Sequence, residues 1–274
     1  MAERPLLKAK KERLFEILSD LDTLLVAFSG GVDSAFLLFV ANEVLGEGVL
    51  GVTAVSPIHP AEETETAIRF AERHRIRHLS VDSHEMSLPE FLANGPDRCY
   101  HCKKALLDRL KQVAAERSIS HIVHGANTDD LHDYRPGFRA AEEAGVLSPF
   151  IRAELSKEEI RFLARQMGLS VWNRPAAACL ASRIPYGSPV TESKLQMIEA
   201  AETVLTDRGF KGMRVRHHDS VARIELPGEG FGRVLDTQLR TEIVEKLQEI
   251  GFTHVALDLE GYVSGKMNRE LPQK

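Results

Sequence analysis

A glycine-rich turn between two apolar runs is the stretch of this sequence best suited to chemistry. Residues 28–34 read Phe-Ser-Gly-Gly-Val-Asp-Ser, with a short apolar run before them and another after. The spacing predicts a strand, a tight turn and a buried helix. That arrangement aims backbone N–H groups and a helix N-terminus at an anion. The sequence therefore predicts a phosphate-binding turn.

Each polar or small residue of the turn has a chemical use. Gly30 and Gly31 allow positive φ and close approach of a ligand, Ser29 and Ser34 supply hydroxyls, and Asp33 can hold magnesium against phosphate oxygens. No lysine follows the glycines, so this is not the G-x-x-x-x-G-K-[ST] loop. The alternative is a small structural turn with an N-capping serine.

Three cysteines form the second group. Cys99 and Cys102 make a C-x-x-C that we expect just before a helix, and Cys179 stands alone. The pair is typical of a redox couple or half a zinc site, with His101 or His124 as a further ligand. Three thiolates without a fourth also suit a 4Fe–4S cluster with one open iron. An isolated cysteine such as Cys179 is also a common core residue.

Two polar groups lie further along the chain. Residues 127–137 follow a predicted strand and belong either to a site or to a solvated loop. Arg214 and Arg216 alternate along a strand, so both face one side and can hold a phosphate. The alternative is a solvated strand face. His217 and His218 point oppositely, and we expect surface histidines.

Strands alternate with helices in the first two thirds of the chain. The predicted elements are a lead-in helix over 5–20, strands at 24–28, 49–55, 78–82, 121–125 and 171–172, and helices over 60–74, 102–117 and 156–167. This order predicts an α/β fold with a parallel sheet and flanking helices. Ligands bind at the carboxyl ends of such strands, where the glycine turn and Gly125 lie.

A turn-rich segment at 185–189 marks a change in pattern. Beyond it we expect helices at about 191–208 and 235–250, and strands at 213–216, 220–226 and 255–259. The predicted domains are residues 1–187, which contain the glycine turn and the three cysteines, and residues 188–274, a smaller α+β domain that contains Arg214 and Arg216.

Composition narrows the possible partners. A net charge of −5 gives no basic footprint for nucleic acid. We see no signal peptide and no apolar run of membrane-spanning length, so we expect a cytoplasmic protein. An odd number of cysteines argues against a disulfide framework.

The turn and several later motifs resemble the LarE family of PP-loop sulfur transferases, which help to build a nickel-pincer cofactor. The matching segments are residues 29–34, 133–137, 182–187, 214–216, 222–227 and 261–268. The resemblance covers nearly the whole chain. It implies the adenine nucleotide alpha hydrolase type of α/β fold.

The resemblance implies that the enzyme adenylates a carboxylate of a pyridinium dicarboxylic acid mononucleotide and replaces AMP with sulfur. Adenylation makes a poor leaving oxygen a good one. The cofactors are then ATP, Mg²⁺ and a 4Fe–4S cluster, and the protein is a homo-oligomer. The implied nucleotide and phosphate contacts are Ser29, Gly30, Gly31, Asp33, Ser34, Gly125, Arg214 and Arg216. The implied catalytic positions are Cys179, Ser182, Arg183 and Glu202.

One departure from the family affects the source of sulfur. Some members sacrifice a cysteine of their own, and that position is Ala178 here, beside Cys179. The resemblance is instead to members proposed to hold a 4Fe–4S cluster, which implies Cys99, Cys102 and Cys179 as ligands. A sulfide on the open iron is then the expected sulfur source, and its physiological donor is unknown.

Two other functions fit parts of this sequence. A tRNA-thiolating PP-loop enzyme predicts a basic face and an added RNA-binding or zinc module, which the acidic balance does not favour. A nucleotide-binding regulator without catalysis predicts ATP binding without pyrophosphate release.

Overall fold

The computed structural model describes residues 5–132, 136–174, 178–263 and 265–270. Two compact units make up the chain: residues 1–85 with 99–177, and residues 86–98 with 178–274. These units differ from the predicted domains in two ways. The boundary between them lies between residues 177 and 178 rather than near 187, and residues 86–98 belong to the second unit. Cys99 and Cys102 therefore lie in the first unit and Cys179 lies in the second.

The first unit alternates strands and helices. Its strands are β1 (Leu24–Ala27), β2 (Val49–Val55), β3 (His78–Asp82) and β4 (His121–His124). Its helices are α1 (Pro5–Ser19), α2 (Val32–Leu45), α3 (Ala61–Arg73), α5 (Arg98–Glu116), α6 (Pro136–Glu143), α7 (Pro149–Arg152) and α8 (Lys157–Gln166). The sheet is parallel throughout, in the order β3-β2-β1-β4, with Leu24 opposite both Val49 and His121. The predicted α/β class is confirmed.

Alternating side chains of β1 pack into two apolar cores on opposite faces of the sheet. Leu24 and Val26 belong to the core that contains α1, α2 and α8. Leu25 belongs to the core that contains Leu107 and Leu110 of α5. Strand residues point alternately to the two faces, so β1 is apolar throughout because both faces are covered. This burial fixes the end of β1, where the glycine turn begins.

The second unit has a three-stranded sheet with helices. Its elements are α4 (Pro89–Leu92), α9 (Glu192–Asp207), β5 (Arg214–His218), β6 (Val221–Glu225), α10 (Gly228–Val234), α11 (Thr237–Ile250) and β7 (His254–Leu257). β6 lies in the middle, antiparallel to β5 and parallel to β7. Apolar residues of α9 and α11 bury one face of this sheet. The α+β character predicted for this part of the chain is what the structure has.

Two local predictions were wrong. Residues 171–172 were predicted as a strand, but Ser170–Asn173 is a 3₁₀ turn in which the Trp172 N–H donates to the Leu169 carbonyl at 3.2 Å. The Arg165 guanidinium covers the Trp172 ring, so the aromatic residue packs on α8 rather than in a sheet. The C-x-x-C does not precede its helix, because α5 begins at Arg98 and includes both cysteines.

No helix in the described part of the chain is long and apolar enough to cross a membrane.

Candidate active site

The glycine turn joins the carboxyl end of β1 to the N-terminus of α2. Gly30 has φ +75°, and a Cβ there would lie 3.3 Å from both the Ala67 Cβ and the Glu63 carbonyl oxygen. A glycine at this position avoids both the strain of a positive φ and the crowding of a Cβ. Gly31, the N-cap residue of α2, has no side chain to cap the helix. Among the described residues, the first backbone N–H groups of α2 are thus left for an anion, as the sequence predicts.

The Ser34 hydroxyl holds the turn together from inside. It accepts from the Ser29 N–H at 3.2 Å, donates to the Gly31 carbonyl at 3.2 Å and lies 3.1 Å from the Ser29 Oγ. Ser34 is buried. It is therefore better placed to shape the turn than to reach a ligand.

Gly125 lies where β4 ends, against the start of α2. A Cβ at Gly125 would be only 2.9 Å from the Asp33 carbonyl carbon and 2.9 Å from the Ser34 nitrogen. Backbone atoms cannot yield as a flexible side chain can, so only glycine fits without displacing the first turn of α2. Packing against α2 thus explains why this position is a glycine, and the contact of Gly125 with a cofactor stays a prediction.

Asp33 forms an ion pair with Lys157, a residue that sequence reasoning missed. The other carboxylate oxygen, Oδ1, is buried without a partner among the described residues. Burial raises the pKa of Asp33, and the hydrogen bond and charge of Lys157 oppose that rise. A buried carboxylate oxygen without a donor suits a hard cation such as Mg²⁺. The donor set therefore fits the predicted magnesium site.

Lys157 owes its position to the start of α8. Ser156 and Glu159 form a capping box, with the Ser156 N–H donating to Glu159 at 2.9 Å and the Glu159 N–H to Ser156 at 3.3 Å. The Lys157 N–H also donates to Asp129 at 3.1 Å. The box is a sequence signal for a helix start, and it places Lys157 first in that helix.

A further buried carboxylate follows β3. Glu85 is fully buried and accepts a hydrogen bond from Ser56, which follows β2. Its Oε2 has no partner among the described residues. Sequence reasoning missed Glu85, although it comes shortly after a predicted strand.

Cys99 and Cys102 sit one helical turn apart at the start of α5, so they share a face. Cys99 is exposed and Cys102 is half-buried. The ammonium of Lys103 is shielded from water, which lowers its pKa, while the charge of Cys102 raises it. A cation beside a thiol favours the thiolate.

His124, which the sequence suggested as a zinc ligand, contacts the side chain of Ser148. Its Nε2 lies 2.8 Å from the Ser148 hydroxyl. Burial and the nearby charge of Lys103 lower the pKa of His124 to about 3, so the imidazole is neutral. In the ranges that the structure describes, no group of three or more His, Cys, Asp or Glu side chains is gathered for a metal.

The polar segment predicted at 127–137 is described only in part. Asn127 and Asp130 close a turn after β4: the Asn127 N–H donates to Asp130 at 3.0 Å, and the Asp129 N–H donates to Asn127 at 3.0 Å. Asp133, Tyr134 and Arg135 lie outside the described residues.

In the second unit, Arg183 secures the turn that carries Cys179. Its Nη1 donates to the Ala178 carbonyl and, at 2.9 Å, to the Cys179 carbonyl. Its Nε and Nη2 form a bidentate pair with Glu202 at 3.0 and 2.9 Å. The Ser182 hydroxyl donates to the Cys179 carbonyl at 2.7 Å. The predicted catalytic residues of this unit thus form one hydrogen-bonded cluster around the Cys179 turn.

The two arginines on β5, Arg214 and Arg216, differ in burial and in their partners. Arg216 is buried, and it donates to Glu225 at 3.0 and 2.7 Å and to the Ser182 carbonyl at 2.7 Å. Arg214 is half-buried, its Nη1 donates to the Met213 carbonyl at 2.7 Å, and burial followed by the charge of Arg183 lowers its pKa. Of the two, Arg214 is the better placed to meet a ligand.

The two histidines that follow Arg216 were both predicted to lie at the surface, and this was wrong for His217. His217 is buried, with its ring 5.3 Å from that of Phe252. Burial followed by the charge of Lys194 lowers the pKa of His217. The alternation of strand side chains was right, but it does not reveal that the inner face of β5 is covered by an apolar core.

The parallel sheet, with a glycine turn opening a helix at its carboxyl edge, defines a nucleotide-binding α/β enzyme of the PP-loop type. A GMP synthase from Aeropyrum pernix is 25% identical over 199 residues, covering 66% of this chain and 38% of its own length. No protein-family model matches the chain.

Two relatives match over almost the whole length. The pyridinium-3,5-bisthiocarboxylic acid mononucleotide synthase of Lactiplantibacillus plantarum is 38% identical, covering 97% of this chain and 96% of its own. An uncharacterised protein from Synechocystis is 43% identical, with 97% and 99% coverage. The chain belongs to the pyridinium-3,5-bisthiocarboxylic acid mononucleotide synthase family, the LarE family.

Proposed function

We propose that this chain is an ATP-dependent sulfur transferase. It adenylates a carboxylate of pyridinium-3,5-dicarboxylate mononucleotide and replaces AMP with sulfur, giving a thiocarboxylate for a nickel-pincer cofactor. The observation that carries the proposal is the uncapped N-terminus of α2 behind Gly30, with Asp33 beside it. The substrate is inferred from the name of the Lactiplantibacillus plantarum relative.

In the first step, a carboxylate oxygen attacks the α-phosphorus of ATP, and the bond to the pyrophosphate oxygen breaks. Pyrophosphate leaves with that electron pair. The N–H groups that open α2 stabilise the charge that develops on the phosphates. Asp33 would hold Mg²⁺ through its buried Oδ1, where the ion screens the phosphate oxygens.

In the second step, a sulfide attacks the acyl carbon of the adenylate, and the carbon–oxygen bond to AMP breaks. AMP leaves with the electron pair, and the product carries sulfur in place of one oxygen. We propose that Arg183, Ser182 and Glu202 fix the Cys179 turn during this step, through the bonds described above.

We also propose that Cys99, Cys102 and Cys179 hold a 4Fe–4S cluster. The shared helix face of Cys99 and Cys102 suits two ligands, and Ala178 has no sulfur to sacrifice. A cluster on three cysteines leaves one iron open, which can carry the sulfide that is transferred. Protein purified without oxygen should contain about four irons per chain, and metal-free protein with full multi-turnover activity would contradict the cluster.

Pyrophosphate release tests the adenylation step directly. We expect release from ATP only when the dicarboxylate mononucleotide is present. ATP binding without release would instead favour a nucleotide-binding regulator, and release that depends on bulk tRNA would favour RNA thiolation.

A further inference from the structure

The segment after β7 contains residues 261–268, one of the motifs that resemble the LarE family. The proposed reaction leaves this motif without a role. The described residues 258–263 and 265–270 are here called the C-terminal segment, and residues 258–262 run beside the end of β6 within the second unit. Backbone bonds hold them there: the Asp258 N–H donates to the Ile224 carbonyl at 2.9 Å and the Tyr262 N–H to the Leu226 carbonyl at 3.0 Å. The path of this segment is therefore tied to the sheet that carries Arg214.

Gly261 allows this close approach. It has φ +74°, and a Cβ there would lie 2.5 Å from the Leu226 carbonyl oxygen. Any other residue would push the segment away from β6. The glycine thus determines where the next residue, Tyr262, is placed.

Tyr262 lies against the arginine that is better placed to meet a ligand. The Arg214 Cζ is 5.1 Å from the centre of the Tyr262 ring. A guanidinium stacked on an aromatic ring keeps its planar edge for hydrogen bonds to an oxyanion. About a third of Tyr262 is exposed, at 36%, so the ring is also open to a ligand.

Ion pairs hold the C-terminal segment to β6 and to itself. Arg223 joins Glu225 at 3.1 Å to Asp258 at 3.5 Å, and Lys266 joins Asp258 at 2.6 Å to Glu260 at 3.2 Å. The Lys266 and Asp258 side chains are both only 11% exposed. Ion pairs this shielded from water are screened less by salt than surface pairs. Charges on the strands are thus linked to the segment that carries Tyr262.

We propose that Tyr262 is a positioning residue for the mononucleotide substrate, held by the C-terminal segment so that its ring orients Arg214 toward the phosphate monoester. This deepens the proposed function and rests on it. Because Glu225 occupies Arg216, orientation of Arg214 decides how well the phosphate is bound. The ring also offers an aromatic face to the positively charged pyridinium ring.

Calorimetric binding of pyridinium-3,5-dicarboxylate mononucleotide to the full chain tests this role without requiring turnover. Tyr262→Leu should raise Kd about fivefold or more, and Tyr262→Phe, which keeps the ring, should stay within about twofold of wild type. The KM for ATP should not change in either variant. A Tyr262→Leu Kd equal to that of wild type, or a Tyr262→Phe loss as large as that of Tyr262→Leu, would overturn the role of the ring.

A second variant keeps the test decisive if Tyr262→Leu fails to fold. Lys266→Met leaves the ring intact but releases the segment from Asp258 and Glu260, and it should also raise Kd. An unchanged Kd in Lys266→Met would overturn the role of the anchored segment. Wild-type binding without pyrophosphate release would count against the proposed function alone, whereas absence of binding would overturn both.

Discussion

Asp33 and Lys157 show how a single pair sets the chemistry of the nucleotide site. Burial favours protonation of the Asp33 carboxylate, and Lys157 counters it. A protonated carboxyl cannot hold Mg²⁺ well. The charge of Lys157 would therefore help to keep Asp33 ionised for the proposed Mg²⁺.

Lys157→Met tests this pairing. Removing the counter-charge should raise the pKa of Asp33 further, so pyrophosphate release should fall about tenfold near neutral pH and recover as pH rises. A pH–rate profile measures the shift. The matched control is Lys10→Met, because Lys10 likewise pairs with a carboxylate, that of Glu159 in the same helix, at 2.8 Å. Equal losses in both variants would show that the effect is only structural.

His124 should make the protein sensitive to mild acid. Its folded-state pKa is about 3, compared with an ordinary value of 6.5. Between these values the unfolded chain binds a proton that the folded chain does not, so the stability of the fold declines as pH falls below 6.5. The linkage is about 1.4 kcal/mol per pH unit well inside that window.

Denaturant unfolding at pH 8 and pH 5.5 measures this contribution. His124→Gln, whose amide can still bond Ser148, should lose less unfolding free energy between the two values than wild type does. The pH 8 comparison reports the side-chain change alone, since His124 is neutral there in both states. An identical pH dependence in the two proteins would refute the assignment.

At the scale of elements, the contact between β4 and α2 fixes the site. Gly125→Ala should force a backbone shift, costing about 1–3 kcal/mol of unfolding free energy and weakening ATP binding. Gly232→Ala is the control, because a Cβ at this helical glycine of α10 meets nothing within 4 Å. It should be neutral or stabilising by up to about 1 kcal/mol. If Gly125→Ala binds ATP like wild type, the contact does not position the turn.

Most elements were predictable because their patterns are local. The run from Val49 to Val55 and the capping box at Ser156 identify a buried strand and a helix start without knowledge of the partner elements. The ion pair of Lys157 with Asp33 and the burial of His217 against Phe252 depend on residues far away in sequence. No spacing along the chain contains that information.

The same distinction applies to the site. Glycine chemistry and the alternation of Arg214 and Arg216 could be predicted from residue types alone. The register of β5 and β6 places Glu225 opposite Arg214, yet the Glu225 carboxylate pairs diagonally with Arg216. Neither the alternation nor the pairing of the strands shows which arginine is engaged. The position of Tyr262 depends on a segment that returns to the sheet after β7.

At the scale of the whole molecule, the two units divide the proposed chemistry. The first contains the turn for ATP and two of the cysteines, and the second contains the Cys179 turn and Arg214. The net charge of −5 agrees with a small anionic substrate held by a few placed arginines rather than by a broad basic surface.

Mass spectrometry of the reaction product tests the central claim most directly. Protein prepared without oxygen is mixed with ATP, Mg²⁺, sulfide and pyridinium-3,5-dicarboxylate mononucleotide. We expect a product in which sulfur replaces one carboxylate oxygen, formed with AMP and pyrophosphate in equal amounts. ATP consumption that leaves the mononucleotide unchanged, or no ATP consumption by the intact protein, would contradict it.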